Sequence, residues 1–289
     1  SIGVTTFTED IADGLEKKTD EECSDIFSNL EKEQGSFGSM ILHSYDKEYL
    51  EGIQKKIEEE FSRAITTSLS WVTSDSWKNS WKDHFTPLSI GSFLICPPWK
   101  IEQEKNKKTI IIEPAMAFGT GQHETTQLCL EMLSSYAKKN TQLAKQNLLD
   151  IGTGSGILAI AAKKIGFGGS YGLDIDQDAV QSAKTNCQKN MCSVTTTKQT
   201  LSAFLAQNDT TKFDLVIANI LLSTIADLME DIAKATKKNG HIILSGLLTE
   251  QKDPILAIGE NFGFALKEYK VENDWCCLLM QLNKEHSRA

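Results

Sequence analysis

Asn147-Leu148-Leu149-Asp150-Ile151-Gly152-Thr153-Gly154-Ser155-Gly156-Ile157-Leu158 decides how the rest of the chain is read. An apolar run ends in Asp150, and three glycines follow at alternate positions. Ile157-Leu158-Ala159-Ile160-Ala161-Ala162 then has the character of a buried helix. Strand, glycine-rich turn and helix, in that order, open a doubly wound α/β domain. Glycine makes the tight turn possible and, lacking a Cβ, brings a ligand close to bare backbone N–H groups.

The spacing separates two ligand classes. A dinucleotide fingerprint, G-x-G-x-x-G, would need glycine at 157, where isoleucine stands. The pattern is instead Asp150-x-Gly152-x-Gly154-x-Gly156, with an acid just before the turn. That suits a ligand without a pyrophosphate whose cationic amino-acid end meets a carboxylate, and S-adenosylmethionine is such a ligand. A tight turn with no ligand would look similar on these residues alone. Further on, Gly168-Gly169-Ser170-Tyr171-Gly172-Leu173 leads into Asp174-Ile175-Asp176. An acid at the end of the second strand is where a ribose diol is held by paired hydrogen bonds, which makes Asp174 a ligand candidate. Asp176 is a weaker one, because it also suits the cap of the helix that opens near Asp178.

Composition narrows the classes. The 289 residues suffice for two domains or one large one. No apolar run approaches the ~20 residues of a membrane span, and the N-terminal stretch does not resemble a secretory signal. The cysteines (Cys23, Cys96, Cys129, Cys187, Cys192, Cys276 and Cys277) are scattered and form no C-x-x-C pair. They read as reduced thiols of a cytoplasmic protein, with no metal site and no disulfide frame. The net charge of −9 is uneven: residues 1–100 hold 18 acids against 10 bases, and the remainder is nearly balanced. Such acidity disfavours direct contact with a nucleic-acid backbone and suits a basic protein partner, or simply a solvated surface.

Along the chain, residues 1–86 read as a small α/β domain, 87–108 as a connector, and 109–289 as the main domain. Apolar spacing predicts helices over Thr19–Phe27 and Lys47–Ile65, with a short strand at Ser39–Tyr45 between them. Trp77, Trp81 and Phe85 recur every four residues and share a helix face, a stripe better suited to packing than to a ligand. Pro87, Pro97 and Pro98 suggest a stiff connector with short extended pieces. Thr109–Pro114 is an extended apolar run. Gly119-Thr120-Gly121 is a second tight turn, followed by a helix opened by Thr125-Thr126, where Thr126 could rim a pocket or merely cap. Strands are expected at Val194–Thr197, Phe213–Ala218 and His241–Ser245. A helix should run from Leu222 to Lys237 with Asn239-Gly240 closing it, another from Gln251 to Asn261, and an antiparallel hairpin over 264–271 and 275–282.

Four motifs resemble the PrmA family, methyltransferases of the large-subunit ribosomal protein numbered eleven, over roughly residues 71–282. They are Ser76-Trp77…Trp81-Lys82…Phe85…Pro87; Ala117-Phe118-Gly119-Thr120-Gly121…His123…Thr125-Thr126…Leu128-Cys129-Leu130; the Asp150–Ala161 stretch; and Ala218-Asn219-Ile220-Leu221 with Leu244-Ser245-Gly246. The resemblance implies a Rossmann-like, S-adenosyl-L-methionine-dependent protein methyltransferase. It also implies an N-terminal domain that selects a basic ribosomal protein, with no direct nucleic-acid contact and no membrane. It carries the cofactor pocket over to Thr126, Gly152, Asp174 and Asn219, lined by Phe118 and Gly119, next to Asp150 and Gly154 from the turn itself. Two positions depart from the family: Gln122 and Glu124 stand where threonine and proline are usual. After the third strand the chain reads Lys198-Gln199-Thr200-Leu201-Ser202, which offers no acid for an adenine.

Methyl transfer from a sulfonium is an in-line displacement, so the site must align nucleophile and methyl and exclude water. An amine acceptor must first lose a proton, since a lysine amine titrates near ~10.4 and an α-amine near ~7.7–8.0. His123 is the nearest histidine to the pocket in sequence, as a proton acceptor or as a structural loop residue. Asn219 is the stronger catalytic candidate, because its amide oxygen can accept a hydrogen bond from the incoming amine. Asn219-Ile220-Leu221-Leu222 has no aromatic to stack a base, which points to an aliphatic amine. Alternatives are another protein lysine, a small amine, or a non-catalytic S-adenosylmethionine-binding factor.

Overall fold

The computed structural model describes residues 47–61, 85–103, 107–113, 119–208 and 210–283. The chain divides into two compact units, residues 1–80 and 81–289. In the first, helix α1 (Lys47–Phe61) is described. Its half-buried Leu50, Ile53, Gln54 and Ile57 follow the spacing of a single helix stripe. The expected helix at 19–27, the strand at 39–45, and Trp77 and Trp81 lie outside the described residues.

The second unit opens with a small sheet. Strands β1 (Leu88–Ile90) and β2 (Phe93–Cys96) form an antiparallel pair, and β3 (Lys108–Ile111) joins β2 in parallel. The proline-marked segment is therefore sheet: β2 reads Phe-Leu-Ile-Cys and is buried throughout. Prolines 97 and 98 follow directly after β2, where they cost no ladder hydrogen bond.

A seven-stranded sheet follows, in the order β6-β5-β4-β7-β8-β10-β9. Its strands are β4 (Asn147–Ile151), β5 (Gly169–Asp174), β6 (Thr195–Lys198), β7 (Phe213–Asn219), β8 (Thr236–Leu248), β9 (Phe264–Glu272) and β10 (Trp275–Leu282). The first five are parallel, and β10 runs antiparallel to both β8 and β9. The helices are α2 (Glu124–Lys139), α3 (Ile157–Ile165), α4 (Gln177–Lys189), α5 (Leu201–Gln207), α6 (Leu222–Ala235) and α7 (Lys252–Asn261). One core joins α2, α3 and the small sheet to one face, through Leu130, Ile160, Phe93 and Ile110. The other joins α5, α6 and α7 to the opposite face, through Phe204, Ile225, Met229 and Ile255. Each such fully buried side chain contributes about 1.5–3 kcal/mol. This is the doubly wound, Rossmann-like α/β domain with an antiparallel hairpin that the sequence implies.

One expected boundary is corrected. Asn239-Gly240 does not close α6, which ends at Ala235. Thr236 already has ψ 133° and its hydroxyl bonds the carbonyl of Ile232 at 2.6 Å, because it pairs with Phe213 as the first residue of β8. Asn239 (φ 62°) and Gly240 instead make a tight turn where that ladder is irregular, and pairing resumes at Leu215 with His241.

The fold fixes the site by topology. The chain steps outward from β4 to β5 and β6, then returns to lay β7 on the other flank of β4. Ligands of such sheets bind beyond the strands' carboxyl ends at this switch, here beyond β4 and β7.

Candidate active site

The turn after β4 has φ of 68° at Gly152, 53° at Gly154 and 81° at Gly156, all in the left-handed region that glycine tolerates. A Cβ on Gly156 would stand 3.2 Å from the Cα of Ala183, so glycine there also lets α4 approach the turn. The expectation of bare N–H groups is corrected. Gly152 and Thr153 donate to the carbonyl of Leu173, Gly154 to Asp174 Oδ2, and Gly156 to the carbonyl of Thr153. Ile157 N–H reaches Ser155 Oγ at 3.3 Å. A turn whose glycine donors are engaged within the fold is a poor anion cradle and a good surface for a ligand without phosphates.

Asp150 lies at the end of β4 and is 1 % exposed. Its Oδ2 accepts the Thr153 hydroxyl at 2.7 Å, and its Oδ1 has no partner. Burial raises its carboxyl to about 7, against the opposing pull of the Thr153 hydroxyl and the Ala159 backbone N–H, and the Asp174 carboxylate adds to the rise. Asp174 ends β5, with Oδ2 accepting Gly154 N–H at 2.9 Å and Oδ1 accepting Asp176 N–H at 3.0 Å. Asp176 caps α4 by accepting Asp178 N–H at 3.0 Å, so its role is the structural one.

Asn219 ends β7. Its Nδ2 donates to Thr126 Oγ at 3.4 Å, while its buried Oδ1 has no partner. Thr126 is fully buried inside the first turn of α2, and the cap is His123, whose Nδ1 accepts Thr125 N–H at 3.3 Å. His123 also packs edge-on to Trp275, 4.9 Å between ring centroids. Glu124 accepts Asn273 Nδ2 at 3.1 Å and so ties this helix start to the β9–β10 hairpin. Its carboxyl is held below the usual range, chiefly by a backbone N–H at the helix start. Gly119 and Gly121 have φ of 97° and 89°, as the tight turn requires. Phe118 lies outside the described residues.

Among the described residues, three buried side-chain oxygens lack a partner: Asp150 Oδ1, Thr197 Oγ1 and Asn219 Oδ1. All three sit within the last two residues of parallel strands, at the rim where the fold places a ligand. Unsatisfied buried oxygens are costly unless a ligand completes them. The structure thus brings Asp150, Gly152, Gly154 and Asp174 together at the turn after β4, and Thr126 beside Asn219 at the end of the adjacent β7.

Comparison with known proteins places the chain in a family. The family profile described as "Ribosomal protein L11 methyltransferase (PrmA)" matches residues 5–283. The chain belongs to this family. Its members include "Ribosomal protein L11 methyltransferase" of Staphylococcus aureus (strain COL), 33% identical over 282 residues, covering 93% of this chain and 88% of that protein. The Staphylococcus haemolyticus protein of the same name is 36% identical over 228 residues, covering 78% and 71%. A crystal structure of ribosomal protein L11 methylase from Lactobacillus delbrueckii subsp. bulgaricus superposes with a TM-score of 0.61 at 28% identity, covering 69% of this chain and all of that one. Like its family, the chain is an S-adenosylmethionine-dependent methyltransferase. Phosphate-free crevice chemistry and unpartnered oxygens fit that cofactor. No helix among the described residues is long and apolar enough to cross a membrane.

Sequence reasoning missed three buried polar residues that shape this crevice. Ser155 bonds the carbonyl of Gly119, Asn186 bonds that of Ser155, and Ser245 reaches the carbonyls of Thr125 (3.3 Å) and Cys276 (3.0 Å). Ser245 pairs with Asn219 across β7 and β8 and stands in the Leu244-Ser245-Gly246 motif, Ser155 stands in the Asp150–Ala161 stretch, and Asn186 alone carried no signal.

Proposed function

We propose that this cytoplasmic enzyme methylates amino groups of ribosomal protein L11, lysine side chains or the N-terminal α-amine, with Asn219 orienting the acceptor. The observation that carries this reading is the Asn219 side chain. One N–H of its amide is given to Thr126, and its buried carbonyl-type oxygen has no partner in the protein. Such an oxygen can accept a hydrogen bond from an amine and direct its lone pair forward. Ile220 and the exposed Leu221 follow, apolar and without an aromatic ring, which suits an aliphatic stem better than a flat base.

S-adenosylmethionine supplies the methyl group on a sulfonium, which leaves as a neutral thioether. In this reading Asp150 Oδ1 takes the ammonium of the amino-acid end and Asp174 the ribose hydroxyls. Gly152 and Gly154 give a surface without side chains, Thr126 fixes the Asn219 amide, and Gly119 lines the wall. His123 spends Nδ1 on its helix cap, so that nitrogen is not offered to the amine's proton.

The test is transfer of labelled methyl from S-adenosylmethionine to purified ribosomal protein L11, mapped by mass spectrometry. Label is expected on lysine or the α-amine. Asn219→Ala should lower kcat about 10²–10³-fold, as loss of one oriented active-site hydrogen bond does, while S-adenosylhomocysteine still binds. Cofactor binding with no label on the protein would move the substrate elsewhere. Undiminished label in the variant would remove Asn219 from the reaction.

A further inference from the structure

The glycine-rich turn holds a second network that the cofactor reading does not use. Ser155 is 1 % exposed, and its Oγ–H donates to the carbonyl of Gly119 at 2.6 Å. The Ser155 carbonyl accepts Asn186 Nδ2 at 2.9 Å. Asn186, also 1 % exposed, uses its Oδ1 to accept the N–H of Glu113 at 3.0 Å. One serine in the turn is thus connected to the chain at both Glu113 and Gly119. These are the two ends of the stretch whose sequence includes Phe118.

The surroundings are built for this contact. A Cβ on Gly119 would stand 3.0 Å from Ser155 Oγ, so glycine there permits the approach. Asn186 lies one turn beyond Ala183, the residue against which Gly156 packs, and positions three apart share a helix face. A single face of α4 therefore carries both the contact that seats the turn and the amide that ties Glu113 to it. Neighbouring Asn190 does a different job. It exchanges two hydrogen bonds with Ile111 (2.9 and 2.6 Å) and gives Nδ2 to the Asn186 carbonyl (2.9 Å), which secures the β3 edge while leaving the Asn186 side chain and the turn untouched.

We propose that Ser155 and Asn186 are positioning residues for cofactor binding. By pinning Glu113 and Gly119 to the glycine-rich turn, they fix the wall formed at Gly119-Thr120-Gly121 relative to the turn that faces the cofactor. Directional hydrogen bonds between buried groups set a distance that apolar packing alone leaves adjustable. Loss of either should lower affinity for the cofactor without removing any group that contacts it. This rests on the placement of the cofactor beyond β4 and β7.

The experiment titrates S-adenosylhomocysteine into the full-length protein by calorimetry, with melting temperature and hydrogen exchange at residues 119–122 measured in parallel. Ser155→Ala and Asn186→Ala should each raise Kd about tenfold and speed exchange at Gly119–Gln122. Asn190→Ala is the control: its melting temperature should fall while Kd stays within twofold of wild type. Should Asn186→Ala not fold, Asn186→Asp retains the acceptor for Glu113 N–H, loses the donor to Ser155, and carries the same expectation. A wild-type Kd in Ser155→Ala, or an equal rise in Asn190→Ala, would overturn the proposal and leave the network structural. Failure of the wild-type protein to bind would instead sink the site itself.

Discussion

Asp150 is buried with one oxygen unpartnered, and its carboxyl titrates at about 7. Between roughly pH 4 and pH 7 the folded chain therefore holds a proton that the unfolded chain has released. Stability of the ligand-free protein should fall as pH rises through that window, because the folded state binds the extra proton there. The cofactor's ammonium acts in the opposite sense, since it favours the carboxylate. The melting-temperature gain from saturating S-adenosylhomocysteine should thus be small near pH 6 and grow by several degrees toward pH 8. In Asp150→Asn the gain should be reduced and flat across that range. A gain independent of pH in the wild type would mean that Asp150 does not face the ammonium. Asn219 is the complementary case: it does not titrate, so its contribution follows only the protonation of the acceptor amine.

The turn from β7 into α6 shows how elements converge on those residues. Ile220 is held between two glycines. A Cβ on Gly246 would lie 2.5 Å from the Ile220 carbonyl oxygen, and one on Gly152 would lie 2.6 Å from Ile220 Cγ2. Gly246 faces unyielding backbone at a φ of 79°, whereas Gly152 meets the end of a side chain that can turn away. Gly246→Ala should therefore cost at least about 2 kcal/mol in chemical denaturation, from overpacking and left-handed strain together. Gly152→Ala should cost less stability but weaken cofactor affinity more. The reverse ordering would show that Ile220, and not the glycines, sets the spacing. The sequence made much of this legible. Alternating glycines after an apolar strand, an acid at the next strand end and Asn219 after a buried run each carry a local pattern. What stayed hidden is non-local. Asn239-Gly240 has the local chemistry of a helix cap, but Thr236 pairs with Phe213 and so ends the helix at Ala235, two residues before the expected end at Lys237. The sheet β1–β3 looked like a connector because its prolines lie at strand ends. Ser155 and Asn186 are small polar residues whose partners lie 36 and 73 positions away, where periodicity says nothing.

At the scale of the whole chain, charge is the asymmetry that matters. Nearly all of the net −9 falls in residues 1–100, and the domain that holds the crevice is close to neutral. In the proposed reading, chemistry and attraction of a basic substrate fall to different parts of one chain. The attraction acts across solvent, where the Debye length shrinks from about 10 Å at 0.1 M to about 3 Å at 1 M salt. The methyl-transfer step occurs in a crevice among buried groups, which salt reaches far less. Raising NaCl from 50 to 500 mM should therefore lower kcat/KM for ribosomal protein L11 about tenfold through association, with kcat changed less than twofold. S-adenosylhomocysteine, which carries little net charge and binds among buried groups, should show the same Kd at both concentrations. If kcat/KM proves indifferent to salt, the acidity of the N-terminal part serves solubility, and recognition of the substrate must come from contacts closer to Asn219.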